Sequence, residues 1–356
     1  MRLSASAPGR VCLFGEHQDY LGLPVIPCAV SMRCTVTGST VQNGEFRILD
    51  VTTGKRCLFE KGDLELRGDD FDYLRAVVSV MIGQGRRPEG ADVEIRNHVP
   101  IESGLSSSAA FLVSWAGFLN WGFDLGYDPI ELAMACYRAE REVMGIPCGM
   151  MDQISSSLGG LVAIECREPP GIERLPAVLP RLIIGDTGVH KRTIDVHKVR
   201  TAEMERALAE LEESAGHPID LATIRWAEIE DHLESLDDIG RRRVRATIKN
   251  RDITRRARRM LGRENPELGE IGELLNLHQG YLRDDYEVSH PMIETLLNAG
   301  LEAGAIGGKL TGAGLGGCVI LLAPGREAEV ADAIEGQGGK PYVVSVDDGL
   351  RREANA

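Results

Sequence analysis

The stretch PIESGLSSSAAFLVSWAGFLNWGF, residues 100–123, changes character halfway. It opens on Gly104 and three serines, Ser106, Ser107 and Ser108, and then runs almost wholly apolar from Ala109 to Leu119. That run is too continuous for a helix with one wet face and predicts a buried helix. A buried helix that starts on a glycine and three hydroxyls gathers free N–H groups, the positive end of a helix dipole and hydroxyl donors in one place. Those are the ingredients of an anion site. Serine at a helix start is also the ordinary cap, and for a single serine that reading is the stronger. Three in succession exceed what a cap needs and favour phosphate. The motif GxxxxGK followed by Ser or Thr is absent, so this is not a Walker loop.

The chain upstream reads as strands. CTVTGSTV (34–41) and FRILDVTT (46–53) carry β-branched residues separated by turn formers. ADVEIRNHVP (91–100) alternates Val93, Ile95 and Val99 with polar neighbours, the pattern of a half-buried strand. Downstream, residues 129–144 predict a second helix with Pro129 in its first turn. Residues 181–194 read as strand and loop, 196–300 as mostly helical, and PYVVSVDDG (341–349) as a last strand. No internal repeat or low-complexity linker interrupts this order.

Other segments carry candidate chemistry. GRVCLFGEHQDYLG (9–22) ends an apolar strand on Glu16, His17 and Asp19. Something polar must face them: a metal, a proton to be moved or a hydroxylated ligand. IPCGMMDQISSS (146–157) places Asp152 just past Gly149, where an acid is most simply a helix cap. Glu140, on the preceding helix, is most simply a solvated acid. Beside a phosphate loop, however, two such acids supply a metal ligand and a carboxylate near an acceptor hydroxyl. GAGLGG (312–317) formally satisfies GxGxxG, but a strand-like run, Cys318–Leu322, follows it where a dinucleotide fold needs a helix. A turn between two strands is the simpler reading. Four glycines in six positions also permit a close backbone approach to another group.

The totals bound the partners. With 356 residues, the chain suits two domains sharing a cleft. A net charge of −14 disfavours nucleic acid and anionic membrane. The run Arg241–Arg259 holds ten Lys or Arg, yet acids at 230, 231, 237 and 238 stand close by, so it reads as a solvated helical face. No apolar run reaches membrane-spanning length, and MRLSASAPGR lacks the apolar region of a signal peptide. The eight cysteines form neither a CxxC pair nor a zinc spacing, which predicts free thiols in a reducing cytoplasm.

Taken together, these segments resemble the GHMP kinase superfamily, and within it galactokinase most nearly. GRVCLFGEHQDY is similar to the galactokinase signature, GLSSSAA to its phosphate loop, and AEREVMGIPCGMMDQ to the segment bearing its acid. LRDDYEVSHP (282–291) and KLTGAGLGGCVI (309–320) resemble two further family segments, in the same order. The resemblance implies an α+β fold of two domains with the active site in the cleft between them. A mixed β/α domain, residues 1–180, would carry the nucleotide loop. A ferredoxin-like α/β domain, residues 181–356, would carry the third glycine motif.

The resemblance also implies ATP and Mg²⁺ as cofactors and a sugar as acceptor, in a monomer or weak homodimer. Asp152 matches the acid that accepts or orients the hydroxyl proton, and Arg10 its paired arginine. Glu140 and Ser108 match the magnesium ligands. Gly104, Leu105, Ser106, Ser107, Ser108 and Ala109 match the loop around the phosphates, and Gly312, Ala313 and Gly314 the third motif. Glu16, His17 and Asp19 match side chains that bond sugar hydroxyls, and Gly149 a backbone contact.

The chain departs from the pattern at the acceptor. Gln18 stands where galactokinases have Thr, and Leu21, Gly22 and Leu23 follow Tyr20. No Tyr occurs in KRTIDVHKVRTAE (191–203), where His197 is the nearest candidate. Phe71 and Tyr73 are the aromatics available near an adenine. Two alternatives to a galactokinase follow: a kinase for another sugar or polyol, and a non-catalytic sugar sensor.

Overall fold

Strand β1 (Arg2–Phe14) is buried from Leu3 onward and organises everything around it. The structure is a computed structural model describing residues 2–189 and 193–354. After β1 come β2 (Pro24–Thr40), β3 (Glu45–Asp50), β4 (Arg56–Glu60), α1 (Asp72–Gly83), β5 (Ala91–Asn97), α2 (Ser107–Gly122), α3 (Pro129–Arg138), α4 (Met151–Leu158), β6 (Leu161–Glu165) and β7 (Gly171–Leu175). The second half comprises β8 (Leu182–Asp186), α5 (Thr193–Ala215), α6 (Trp226–Ile229), α7 (Asp238–Leu261), α8 (Leu268–Asp284), α9 (Pro291–Glu302), β9 (Gly307–Thr311), β10 (Cys318–Leu322), α10 (Glu327–Gly336), β11 (Lys340–Val344) and β12 (Arg351–Arg352).

Two sheets result. The first runs β12-β1-β2-β5-β3-β4, and β6, itself paired with β7, extends it from β2. The β3–β5 pair is parallel and the others are antiparallel. Val93 and Ile95 face the core, as their alternation predicts. The second sheet, β11-β8-β10-β9, is antiparallel throughout. Its chain order, strand–helices–strand–strand–helix–strand, is the ferredoxin-like arrangement. Residues beyond Val344 leave this sheet: Val346 bridges Val30, and β12 pairs with β1. The C-terminus therefore belongs with the first sheet, where a division at residue 180 does not put it.

Helix α2 is buried on every side, as its composition requires. Trp115 meets Phe46 edge-on at 5.9 Å and stacks on Phe118 at 6.1 Å. The predicted helix 129–144 is capped as expected, with a capping box between Asp128 and Glu131 and Pro129 in the first turn. It does not stay α-helical: Ala139–Val143 widens into a π turn, closed by Met144 N donating to Ala139 O. Such turns insert one residue into the helical register and turn a side chain out of phase.

The arginines of α7 are only in part the solvated face that their density suggests: Arg241, Arg245, Arg256 and Arg259 are exposed. Arg243 and Arg251 are buried. Arg243 is paired with Glu203 and Glu287, and Arg251 with Asp252. Arg245 pairs with Asp285, and Arg258 with Glu165 and Glu173. The helix packs between α5 and α8, so the arginines on its inner side meet acids of the neighbouring elements. All eight cysteines are unpaired, six of them buried. Among the described residues no helix is long and apolar enough to cross a membrane.

Where β1 meets α8, His278 is fully buried and stacked on Phe14 at 6.1 Å, and neither ring nitrogen has a hydrogen-bond partner. Burial first, then the charge of Lys309, holds its pKa well below the ordinary value. The unfolded chain therefore binds the proton that the folded chain refuses, and stability is lost as pH falls below about 6.5. His278→Leu removes this liability without orphaning a partner. In urea denaturation the variant should gain on the parent by up to about 1.4 kcal/mol per unit of pH below about 6.5. Parallel pH curves would show that His278 is not the titrating group.

Candidate active site

Arg10 leaves β1 where the register shifts between Pro8 and Arg10. Its backbone N–H donates to Leu105 O at 3.0 Å. Its guanidinium does three things: Nε donates to Asp152 Oδ1 at 2.7 Å, Nη2 to Asp152 Oδ2 at 2.9 Å, and Nη1 to Gly104 O at 2.6 Å. Burial works against the Arg10 charge, but Asp152 more than offsets it, and the pKa is raised. Asp152 is not the cap of α4. Met150 holds that position, and Asp152 lies in the first turn with its side chain turned toward Arg10.

The three serines do not cap α2 either. Ser106 occupies the N-cap position in the left-handed region, with φ 57°, and no side chain caps the helix. Its Oγ donates to Asp152 Oδ2 at 2.5 Å. Ser107 Oγ accepts from Asn97 Nδ2 at 2.9 Å. Ser108 hydrogen-bonds Glu140. The hydroxyls are thus engaged by side chains, which leaves the first turn of α2 open to an anion. Gly104 and Gly312 press together: a Cβ on Gly104 would meet Thr311 O at 2.6 Å, and one on Gly312 would meet Gly104 Cα at 2.8 Å. Both have positive φ. The third motif is therefore the turn between β9 and β10, and what its first glycine lets close in is the phosphate loop.

Glu140 sits on the π turn, buried, with Gln153 Nε2 donating to its Oε2. Burial first, then the charge of Asp152, pushes its pKa up to about 7, against the bonds from Gln153 and Ser108. A buried carboxylate beside a hydroxyl, with another carboxylate as its charged neighbour, is an oxygen donor set that suits a hard divalent cation. Asp19 lies over Gly149, where a Cβ would come within 2.1 Å of its Oδ2. Burial, then the charge of Asp152, pushes Asp19 up to about 6. Asp19 and Glu140 thus both feel the charge of Asp152, which Arg10 holds.

The comparisons with known proteins now bear on this site. Residues 2–40 match the galactokinase galactose-binding signature, 72–160 the GHMP kinases N-terminal domain, and 263–340 the GHMP kinases C-terminal domain. Over 370 residues the chain is 30% identical to the galactokinase of Clostridium acetobutylicum, covering 97% of this chain and 93% of that one. It is also 30% identical to the mevalonate kinase of Thermococcus sibiricus over 365 residues, 99% of each. The chain belongs to the GHMP kinases. In fold, Lactococcus lactis galactokinase complexed with galactose superimposes with a TM-score of 0.88 at 24% identity, over 98% of this chain and 95% of that one. Methanococcus jannaschii mevalonate kinase gives 0.74 at 18%, over 98% and 99%. The protein is an ATP-dependent small-molecule kinase of galactokinase type.

In this kinase the signature loop is tied down more than its sequence suggests. Glu16 Oε1 is ion-paired with Lys309, both fully buried, and Lys309 Nζ also donates to Cys12 O at 3.0 Å and Leu310 O at 2.7 Å. His17 has both nitrogens occupied. Nε2 lies 3.0 Å from Ala313 O, a carbonyl that can only accept, so Nε2 carries the proton. Nδ1 then accepts from the Tyr20 hydroxyl at 2.9 Å. Burial, with His197 next, keeps His17 well below its ordinary pKa and neutral. Gln18 reaches away from the Arg10–Asp152 pair, and its Nε2 donates to Thr247 O on α7 at 3.2 Å. His197 does come to this cluster, its ring 5.5 Å from His17 and 5.3 Å from Tyr20.

So Arg10, Asp152, Ser106, Ser108, Glu140, Asp19, Gly149, Gly104 and Gly312 converge. Glu16, His17 and Gln18 instead fasten the loop, because in a buried site their polar atoms take protein partners first. Leu105 contributes its carbonyl, which accepts from Arg10 N, the side chains of Leu105 and Ala109 are buried, and Gly314 packs against Val288 O. Phe71 is buried in the core and cannot offer its face to a base, whereas Tyr73 is half-buried near Glu140. Sequence reasoning missed Lys309 and Tyr286. Both lie in segments that it quoted, but a lone Lys on a strand and a Tyr in a loop carry no local sign of a partner. Tyr286 sets its ring 4.9 Å from His17 and its hydroxyl 3.4 Å from that of Tyr20.

The Lys309–Glu16 pair yields a double-mutant test. Lys309→Met leaves Glu16 buried without its partner and should cost about 3–5 kcal/mol in urea denaturation. Lys309→Met combined with Glu16→Gln should recover more than half of that loss. Simple addition of the two single losses would mean that the side chains are not coupled.

Proposed function

We propose that this kinase transfers the γ-phosphoryl group of ATP to the anomeric hydroxyl of galactose or a closely related sugar, with Mg²⁺, in the cytoplasm. The observation that carries the reading is the Asp152 carboxylate, held through both oxygens by Arg10 at the mouth of the phosphate loop. An acceptor hydroxyl placed against Asp152 would lie beside the open first turn of α2, where the nucleotide phosphates fit. Asp152 orients the hydroxyl and takes its proton. Arg10 holds Asp152 in place through both oxygens and, bonded to Gly104 O, faces the charge that develops on the phosphoryl group in transfer. Ser108 and Glu140 would hold Mg²⁺, which when bound neutralises phosphate charge. The eight unpaired cysteines suit a reducing compartment.

The charge of the pocket supports a neutral acceptor. Burial first, and then the charge of Asp152, already raises Asp19. A hydroxy acid such as mevalonate would bring a third carboxylate to the same place, whereas a sugar brings hydroxyls that donate to these oxygens. The match of residues 2–40 to a galactose-binding signature points the same way. The alternative within the family, a kinase for another sugar or polyol, draws on the tethered Gln18 and on His197, which shape the acceptor side differently from the galactokinase pattern.

ADP release with ATP, Mg²⁺ and a panel of galactose, its epimers, aminosugars and mevalonate tests the substrate. Turnover with mevalonate and with no sugar would overturn the reading. Sugar binding without any ADP would favour a sensor. Asp152→Asn should hold sugar affinity within a few-fold, measured by calorimetry, while turnover falls by about 10²-fold or more. Unchanged turnover would make Asp152 structural.

A further inference from the structure

The three hydroxyls of the phosphate loop have three different partners, and the partner of Ser106 is the acid that faces the acceptor. A carboxylate offers two acceptor positions on each oxygen. At Asp152, Arg10 Nε takes one on Oδ1 and Arg10 Nη2 takes one on Oδ2. Ser106 Oγ, 2.5 Å away, takes the other on Oδ2. Oδ2 is saturated, and Oδ1 keeps one open position.

We infer that Ser106 is a positioning residue for phosphoryl transfer: its hydroxyl occupies Asp152 Oδ2, so that Oδ1 alone receives the acceptor hydroxyl. The inference rests on Asp152 being the group that faces the acceptor. It moves Ser106 out of the set of nucleotide ligands and assigns it to the acid instead.

The backbone supports this assignment independently of the distance. Ser106 is a non-glycine residue at φ 57°, ψ 49°, although it stands at a helix start where serine ordinarily adopts an extended conformation and caps. The left-handed conformation is unfavourable for a residue with a Cβ and persists where the surroundings enforce it. Here the Ser106 hydroxyl bonds Asp152, and no side chain caps α2. Ser107 and Ser108, one and two residues on, bond Asn97 and Glu140. Neither reaches Asp152 to replace it.

The test uses Ser106→Gly, which removes the hydroxyl together with its Cβ and accepts the left-handed backbone without strain, with Ser106→Ala, which removes only the hydroxyl, alongside. Steady-state kinetics vary ATP and sugar separately. The expected result is a fall in kcat of about tenfold, the scale of one charge-assisted hydrogen bond, with both KM values within about twofold of the parent. A raised ATP KM with kcat within about twofold of the parent overturns the inference and returns Ser106 to the nucleotide. Placing Ser106→Gly in the Asp152→Asn background separates positioning from general damage. A residue that acts through Asp152 should cost little more there, and a full additional loss overturns the inference. If Asp152→Asn itself leaves turnover intact, the reading of the acid fails. If Asp152→Asn removes turnover while Ser106→Gly keeps kcat, only the assignment of Ser106 fails.

Discussion

The Arg10 guanidinium is the joint on which the site depends. Through one planar group it holds both oxygens of Asp152 and the carbonyl of Gly104, while its backbone is bonded to Leu105. The acid on α4 and the phosphate loop before α2 are thus referenced to one residue of β1. A lysine could match the charge but not the fork, because only a guanidinium meets a carboxylate with two parallel N–H bonds and still has a third donor to spare. Burying such a pair contributes little to stability. Its value lies in geometry, since transfer chemistry rewards atoms already in place.

Around that joint the protein tolerates an electrostatic excess. Asp19 and Glu140 both feel the charge of Asp152, and burial together with that repulsion lifts Asp19 to about 6 and Glu140 to about 7. Ligands relieve this. Under the proposed function a divalent cation would satisfy Glu140, and sugar hydroxyls would donate to the carboxylates. The site is organised to be completed by what it binds.

The two halves are joined beside this cluster by several short links. Lys309 ties β9 to Glu16 and Cys12, Thr311 Oγ1 accepts from Cys12 N at 2.9 Å, and His17 reaches Ala313. Gly312 lies against Gly104 with no room for a side chain on either. The signature loop, the phosphate loop and the third glycine motif are therefore held in register by the second sheet. The segment LRDDYEVSHP serves the same end: Tyr286 packs on His17, and Val288 O accepts from Leu315 N.

Much was legible in the sequence alone, for reasons of local physics. Apolar continuity determined that α2 is buried, alternation set β5, and a strand-like run after GAGLGG ruled out a dinucleotide fold. The order of five short segments determined the family and hence the pairing of Arg10 with Asp152. Partnership between residues far apart in the chain was not legible, because no local pattern encodes it. The tertiary structure alone decided that the serines bond Asp152, Asn97 and Glu140 instead of capping α2, and that a π turn carries Glu140. It also decided that Glu16 belongs to a buried lysine and that Arg243 and Arg251 of α7 are buried and paired. A buried polar atom takes whichever partner the fold brings within 3 Å or so, and that choice is made only when distant segments meet.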